Sequence, residues 1–134
     1  MAVVNGPAPF VKVVVGKPTK IGSIATATDV LQFALSEQSF YHCGSIVFQA
    51  VPNGTVTTFT ANIAISLDGG TTFATQIGTT PATVASTTAA INFQTQPLQN
   101  VAIPAVGGQI SLQFQAATLT LGTATKIDIW ALVA

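Results

Sequence analysis

Thirteen residues constrain this chain more than any others. In Thr55-Val-Thr-Thr-Phe-Thr-Ala-Asn-Ile-Ala-Ile-Ser-Leu67 the apolar side chains Phe59, Ala61, Ile63, Ile65 and Leu67 fall on odd positions, while Thr58, Thr60, Asn62 and Ser66 fall on even ones. Successive side chains of a strand point to opposite faces, so this spelling predicts a long strand with one dry and one polar face. The turn Ser66-Leu-Asp-Gly-Gly-Thr-Thr-Phe73 follows, and Phe73 and Ile77 resume an apolar face, which predicts a returning strand.

The remaining segments repeat the pattern. Phe10 to Gly16 is valine-rich and stops at Gly16-Lys-Pro18, where proline cannot donate to a ladder. Ile21 to Thr28 is a weaker strand candidate. From Asp29 to Ser36 two readings compete: Asp29 and Gln32 are spaced to cap a short helix, yet Leu31, Phe33 and Leu35 alternate, which favours a strand. Phe40 to Val51 reads as a strand, and Pro52-Asn-Gly54 as a hairpin turn into the strand that begins at Thr55. Residues 78–90 are small and polar, a loop or an edge. Ile91 to Thr95 and Leu98 to Ile103 are short strands. In Ile110 to Ala116, Ile110, Leu112 and Phe114 alternate with Ser111, Gln113 and Gln115. In Lys126 to Ala134, Ile127, Ile129, Ala131 and Val133 form one face, and Trp130 and Leu132 stand on the other beside Lys126 and Asp128. A tryptophan on that side needs cover, from the chain's own loops or from another chain.

About eight short strands and no helix predict an all-β, single-domain antiparallel β-sandwich, or a jelly roll. The 134 residues suffice for one core, expected over residues 10–134. Residues 1–9, with two prolines and no period, form an extended arm. It is either a frayed terminus or a segment lying on a neighbouring subunit, with Val3 and Val4 as anchors.

Charge is the unusual part of the composition. Charged residues make up 6%, with no arginine and zero net charge, where an ordinary domain carries about 25%. Mean hydropathy is +0.59. Such a surface is poorly protected against association. Four lysines balanced by four acids cannot form a phosphate-binding stripe, so no nucleic-acid partner is expected. No apolar run reaches the roughly 18 residues of a spanning helix, and strands for a membrane barrel are missing, so no membrane partner is expected. The opening Met1-Ala-Val-Val-Asn-Gly-Pro7 has no basic start followed by a long apolar segment, so no secretory signal is expected.

Chemistry finds few candidates. Adjacent strand residues face opposite ways, so His42 and Cys43 cannot act as a dyad; His42 would share a face with Phe40, Ile46 and Phe48. With no other His or Cys they cannot complete a zinc site either. Asp29, Glu37, Asp68 and Asp128 show no pairing suited to acid–base work. Neither an enzymatic activity nor a cofactor or metal is expected.

Ser66-Leu-Asp-Gly-Gly-Thr-Thr-Phe73 resembles the Asp-box, Ser-x-Asp-x-Gly-x-Thr-Trp, with Phe73 in place of tryptophan. The resemblance implies a structural turn built from Ser66, Asp68, Gly70, Thr72 and Phe73. The wider chain resembles small β-sandwich virion proteins of tailed bacteriophages. The likeness lies in a long alternating strand running into the turn (63–73), a Thr-rich middle (79–90) and the closing strand Thr125 to Ala134. It implies a capsid decoration (cement) protein located on the virion and made in the host cytoplasm. Such a protein binds the major capsid protein and forms a homo-oligomer, foremost a trimer, with Val3, Val4, Trp130 and Leu132 as interface candidates. The alternative is a glycan- or receptor-binding sandwich of a phage tail or cell-surface assembly, since flat aromatics flanked by hydrogen bonders suit sugars.

Overall fold

The computed structural model describes residues 2–3, 11–14, 16–36, 46–66, 72–76, 90–94 and 109–133. Among the described residues ten strands are formed: β1 (Ala2–Val3), β2 (Val11–Val13), β3 (Thr19–Ile24), β4 (Asp29–Ser36), β5 (Ile46–Pro52), β6 (Val56–Ser66), β7 (Phe73–Gln76), β8 (Ile91–Gln94), β9 (Gln109–Leu121) and β10 (Ile127–Val133). They make a two-layer, all-β sandwich. The larger sheet runs β1-β4-β9-β6-β7, with β2 also on β4, and the smaller runs β3-β10-β5-β8.

Between the layers, Leu31, Phe33 and Leu35 of β4, Leu112 and Phe114 of β9, and Phe59, Ala61, Ile63 and Ile65 of β6 meet Ile46, Phe48 and Ala50 of β5 and Ile127, Ile129, Ala131 and Val133 of β10. The Phe48 ring reaches across the gap. It stands edge-on to Phe33 (centroids 5.6 Å apart, 75°) and tilted against Phe114 (5.1 Å), arrangements that the aromatic quadrupole favours. Val56 and Phe59 both point inward although three residues apart. The ladder with β9 shifts register between Val56 and Thr58, and such a bulge exchanges the faces of a strand.

The segment from Asp29 to Ser36 is a strand, and Asp29 still acts as a cap, though of the preceding turn. Its carboxylate accepts from the amides of Ala25 (2.7 Å) and Thr26 (2.9 Å) and from the Thr26 hydroxyl (2.8 Å). Burial opposes its ionisation, but those hydrogen bonds outweigh burial and hold its pKa below the ordinary value.

Three expectations are corrected. First, the sandwich is not wholly antiparallel: β1 and β2 both pair parallel to β4, Ala2 with Asp29 and Val11 with Phe33. A parallel neighbour requires a long crossover, and here β3, lying in the opposite sheet, supplies it. The backbone of Ala2 and Val3 is thus part of this chain's own sheet, while Val4 lies outside the described residues.

Second, Pro52-Asn-Gly54 is not a hairpin turn. The strands it joins belong to different sheets, with β5 against β10 and β6 against β9. Both strand pairs change layer together, through residues 53–55 on one chain and 122–126 on the other. The two connectors are laced. Asn53 Oδ1 accepts from the amides of Thr125 (2.8 Å) and Lys126 (3.2 Å), its Nδ2 donates to Thr125 Oγ1 (2.7 Å), and Thr55 O accepts from Gly122 (2.8 Å) and Ala124 (3.2 Å). Gly54 is required by contact: a Cβ there would sit 2.7 Å from the Ala124 nitrogen. The asparagine and glycine that spell a hairpin are used for a corner because the partner of Asn53 is 72 residues away in the chain, outside any local pattern.

Third, the polar face of the larger sheet is wet only in part: Thr58, Thr60 and Asn62 of β6 stay partly exposed, whereas Ser66 and the positions beside it are buried. On β4, β9 and β6 the outward residues Gln32 and Gln113 (9% and 7% exposed), Ser111, Val30, Ala34 and Ala64 are all buried in the isolated chain. They stand in register, Gln32 beside Gln113 beside Ala64. Gln115 Nε2 donates to Gln113 Oε1 at 2.9 Å, and no buried side-chain nitrogen or oxygen among the described residues lacks a partner. Hydrogen-bonded amides tolerate such burial where charges would not.

Candidate functional site

The exposed face of the smaller sheet is where the structure gathers groups that could meet a partner. Side chains facing away from the core on β3, β10 and β5 form three rows across the strands. The first holds Ser23, Asp128 and Val51. The second holds Lys20, Trp130 and Gln49, with Asn92 of β8 in the next register position. In the third, Leu132 pairs with Val47, and Gln94 follows in register. Trp130 is thus the centre of the face, 38% exposed, with Val51 at 36%. Beside it runs a groove of about 350 Å³ lined by Pro18, Val47, Gln49, Trp130, Ala131 and Leu132.

A bulge sets this arrangement. The β3–β10 register slips at Ile129/Trp130, so that Gly22 faces Ile129 and Lys20 faces Trp130. Gly22 has a φ of 151°, which other residues rarely adopt. The slip lets Ile21 and Ile24 both enter the core while Lys20 and Ser23 both face outward. Asp128 is thereby flanked by hydrogen-bonding partners while still partly exposed. It accepts from Ser23 Oγ at 2.5 Å and lies 3.5 Å from Lys20 Nζ and 3.7 Å from Lys126 Nζ. The Ser23 hydroxyl first, then the two lysines, lower its pKa against the opposing effect of partial burial.

Of the expected interface residues, Trp130 and Leu132 share this face, with Leu132 half-buried. Val3 sits on an edge of the other sheet and is not brought to them. Of the Asp-box-like turn, Ser66 is buried and opposite Phe73 in the β6–β7 ladder, Phe73 is half-buried and Thr72 exposed. Asp68 and Gly70 lie outside the described residues, as do Glu37, Tyr41, His42 and Cys43. Gln49, Lys20 and Pro18 were not singled out by the sequence. Gln49 was legible as an outward position between Phe48 and Ala50, but its neighbour Trp130 comes from a strand 81 positions further on.

The described carboxylates are both committed to holding turns and strands together. Among the described residues no group of three or more His, Cys, Asp or Glu could hold a metal, and no helix is long and apolar enough to cross a membrane. The face can therefore bind through stacking, apolar contact and hydrogen bonds. Comparison with protein-family models, curated proteins and solved structures returned no match.

Proposed function

We propose that the chain is a non-enzymatic structural subunit of a tailed-bacteriophage virion, a decoration (cement) protein that forms a homo-oligomer, foremost a trimer, and stabilises the shell of major capsid protein. One observation supports this reading above the others. On the described surface Lys20 and Lys126 share the single carboxylate of Asp128 and Asp29 is turned inward, with Lys12 and Lys17 standing apart from that cluster, so charged groups are few. A surface so poor in charge is weakly protected against association and is suited to cover by neighbouring subunits. An interface of standard size would bury about 1,600 Å² in total. The reading includes no nucleic acid, membrane or cofactor. Its test compares particles assembled with and without the protein: those lacking it should lose their contents at a lower temperature, and identical melting would reject cementing.

A second reading, a glycan- or receptor-binding module of a phage tail or cell-surface assembly, is favoured by the row Lys20, Trp130, Gln49. The two readings treat Trp130 oppositely. In the first it is covered on the assembled particle; in the second it faces solvent until a ligand arrives. Quenching of its fluorescence by iodide on intact particles separates them.

A further inference from the structure

We propose that the groove beside Trp130 is a binding site for a neutral saccharide, with the indole stacking on the C–H face of a pyranose ring and Gln49 hydrogen-bonding its hydroxyls. The inference rests on the second reading above and gives it a ligand class and a site.

The chemistry of the lining selects this ligand. Trp130 offers a flat, amphipathic surface, and it is fixed in the middle of a sheet rather than on a loop. Its β5 neighbour Gln49 stands directly opposite it, which places the two Cβ atoms about 4.5–5.5 Å apart, and Gln49 also lines the groove. Pro18, Val47 and Leu132 continue the apolar surface along the groove. A ligand matching this set has one apolar face and a rim of hydroxyls. A hydrocarbon would desolvate the Gln49 amide without replacing its bonds to water. An anion is also a poor match. The nearest cations already serve Asp128, and the chain has no arginine to grip a carboxylate with two parallel bonds. The Gln49 amide carries two donors and an oxygen with two lone pairs, so it has capacity for a hydroxyl beside its present contacts. At about 350 Å³ the groove lies at the small end of the roughly 300–1,000 Å³ typical of ligand sites, which suits a mono- or disaccharide. One stacking platform gives weak binding per chain, and an oligomer would multiply it by presenting several sites to one glycan surface.

Trp130 is the only tryptophan in the chain, so its emission reports this site alone. The full-length chain is titrated with methyl glycosides of glucose, galactose and N-acetylglucosamine and with their disaccharides, glycerol serving as the polyol control. At least one sugar should shift the emission saturably, and amide NMR shifts should cluster at Val47, Gln49 and Leu132. Trp130→Ala should abolish the NMR response, and Gln49→Ala should weaken binding about tenfold, equivalent to roughly 1.4 kcal/mol. Lys12→Ala, on the other sheet, should change nothing. Both site variants are exposed positions, and their NMR spectra report whether they remain folded. The absence of a saturable response to any sugar overturns the proposal. So does an emission that follows protein concentration while Trp130→Ala lowers the oligomeric state by native mass spectrometry, because the face is then a protein contact. Either failure leaves the cement reading to its own test on particles.

Discussion

The two sheets are spelled with the same period of two, yet they treat their outward residues differently. In the larger sheet Gln32, Gln113 and Ser111 are buried, whereas in the smaller one Gln49 and Trp130 are open to solvent. A glutamine in an alternating strand therefore does not mark a wet face. It marks an uncharged position, which can be closed where its amide is hydrogen-bonded, as at Gln113, or left facing solvent, as at Gln49. The open face also holds the larger apolar groups, the reverse of what alternation suggests.

This contrast can be attacked in descending order of effect. Phe48→Ala removes the ring that joins the two layers and should cost about 3–5 kcal/mol in chemical denaturation; a loss below 1 kcal/mol would mean the sheets are not packed as described. Gly54→Ala drives a Cβ into the backbone of the opposite connector and should cost about 2–3 kcal/mol, although a hairpin turn would accept it more cheaply. Gln113→Glu and Gln49→Glu make the same chemical change on the two faces. The first should cost about 2 kcal/mol or more by placing a charge in a closed site, and the second should stay within about 0.5 kcal/mol. Equal effects on thermal unfolding would erase the distinction between the faces.

The smallest effect concerns the two aspartates. Both have pKa values below the ordinary 3.8 in the folded chain. Each therefore contributes stability that is fully present above that value and is lost as pH falls through the lower folded value. Asp29→Asn and Asp128→Asn should each flatten the acid limb of a stability-versus-pH curve below about pH 4. Salt should separate them. The partners of Asp128 include two exposed lysines, so its contribution should shrink in high salt, whereas Asp29, held by uncharged amides and a hydroxyl, should be little affected.

The corner shows where local reading stops. Asn53 and Gly54 meet every local criterion for a hairpin, and Thr55 onward supplies a fitting partner strand. The competing interactions are the four hydrogen bonds of Asn53 to Thr125 and Lys126, together with those of Thr55 to Thr123, Gly122 and Ala124. None of them is encoded by spacing. By contrast, the β6–β7 hairpin was legible because both of its strands and its turn lie within some twenty consecutive residues, and the structure pairs Ala64 with Gln76 and Ser66 with Phe73. The same holds for the candidate site. Trp130 on an outward position could be read from β10 alone. Its neighbours Gln49 and Lys20 could not, because which strands flank β10 depends on long-range pairing.

By itself, the order of apolar and polar residues determined that this chain forms strands, which of their faces enters the core, and that little charge is left for its surface. Side-chain direction along a strand is a local property, fixed by the alternation of the backbone. The assignment of strands to sheets, the parallel pairing at β4, the burial of part of one polar face and the exposure of Trp130 on the other were decided only in three dimensions. Each depends on contacts between residues distant in sequence, whose free energy appears only once the layers have packed.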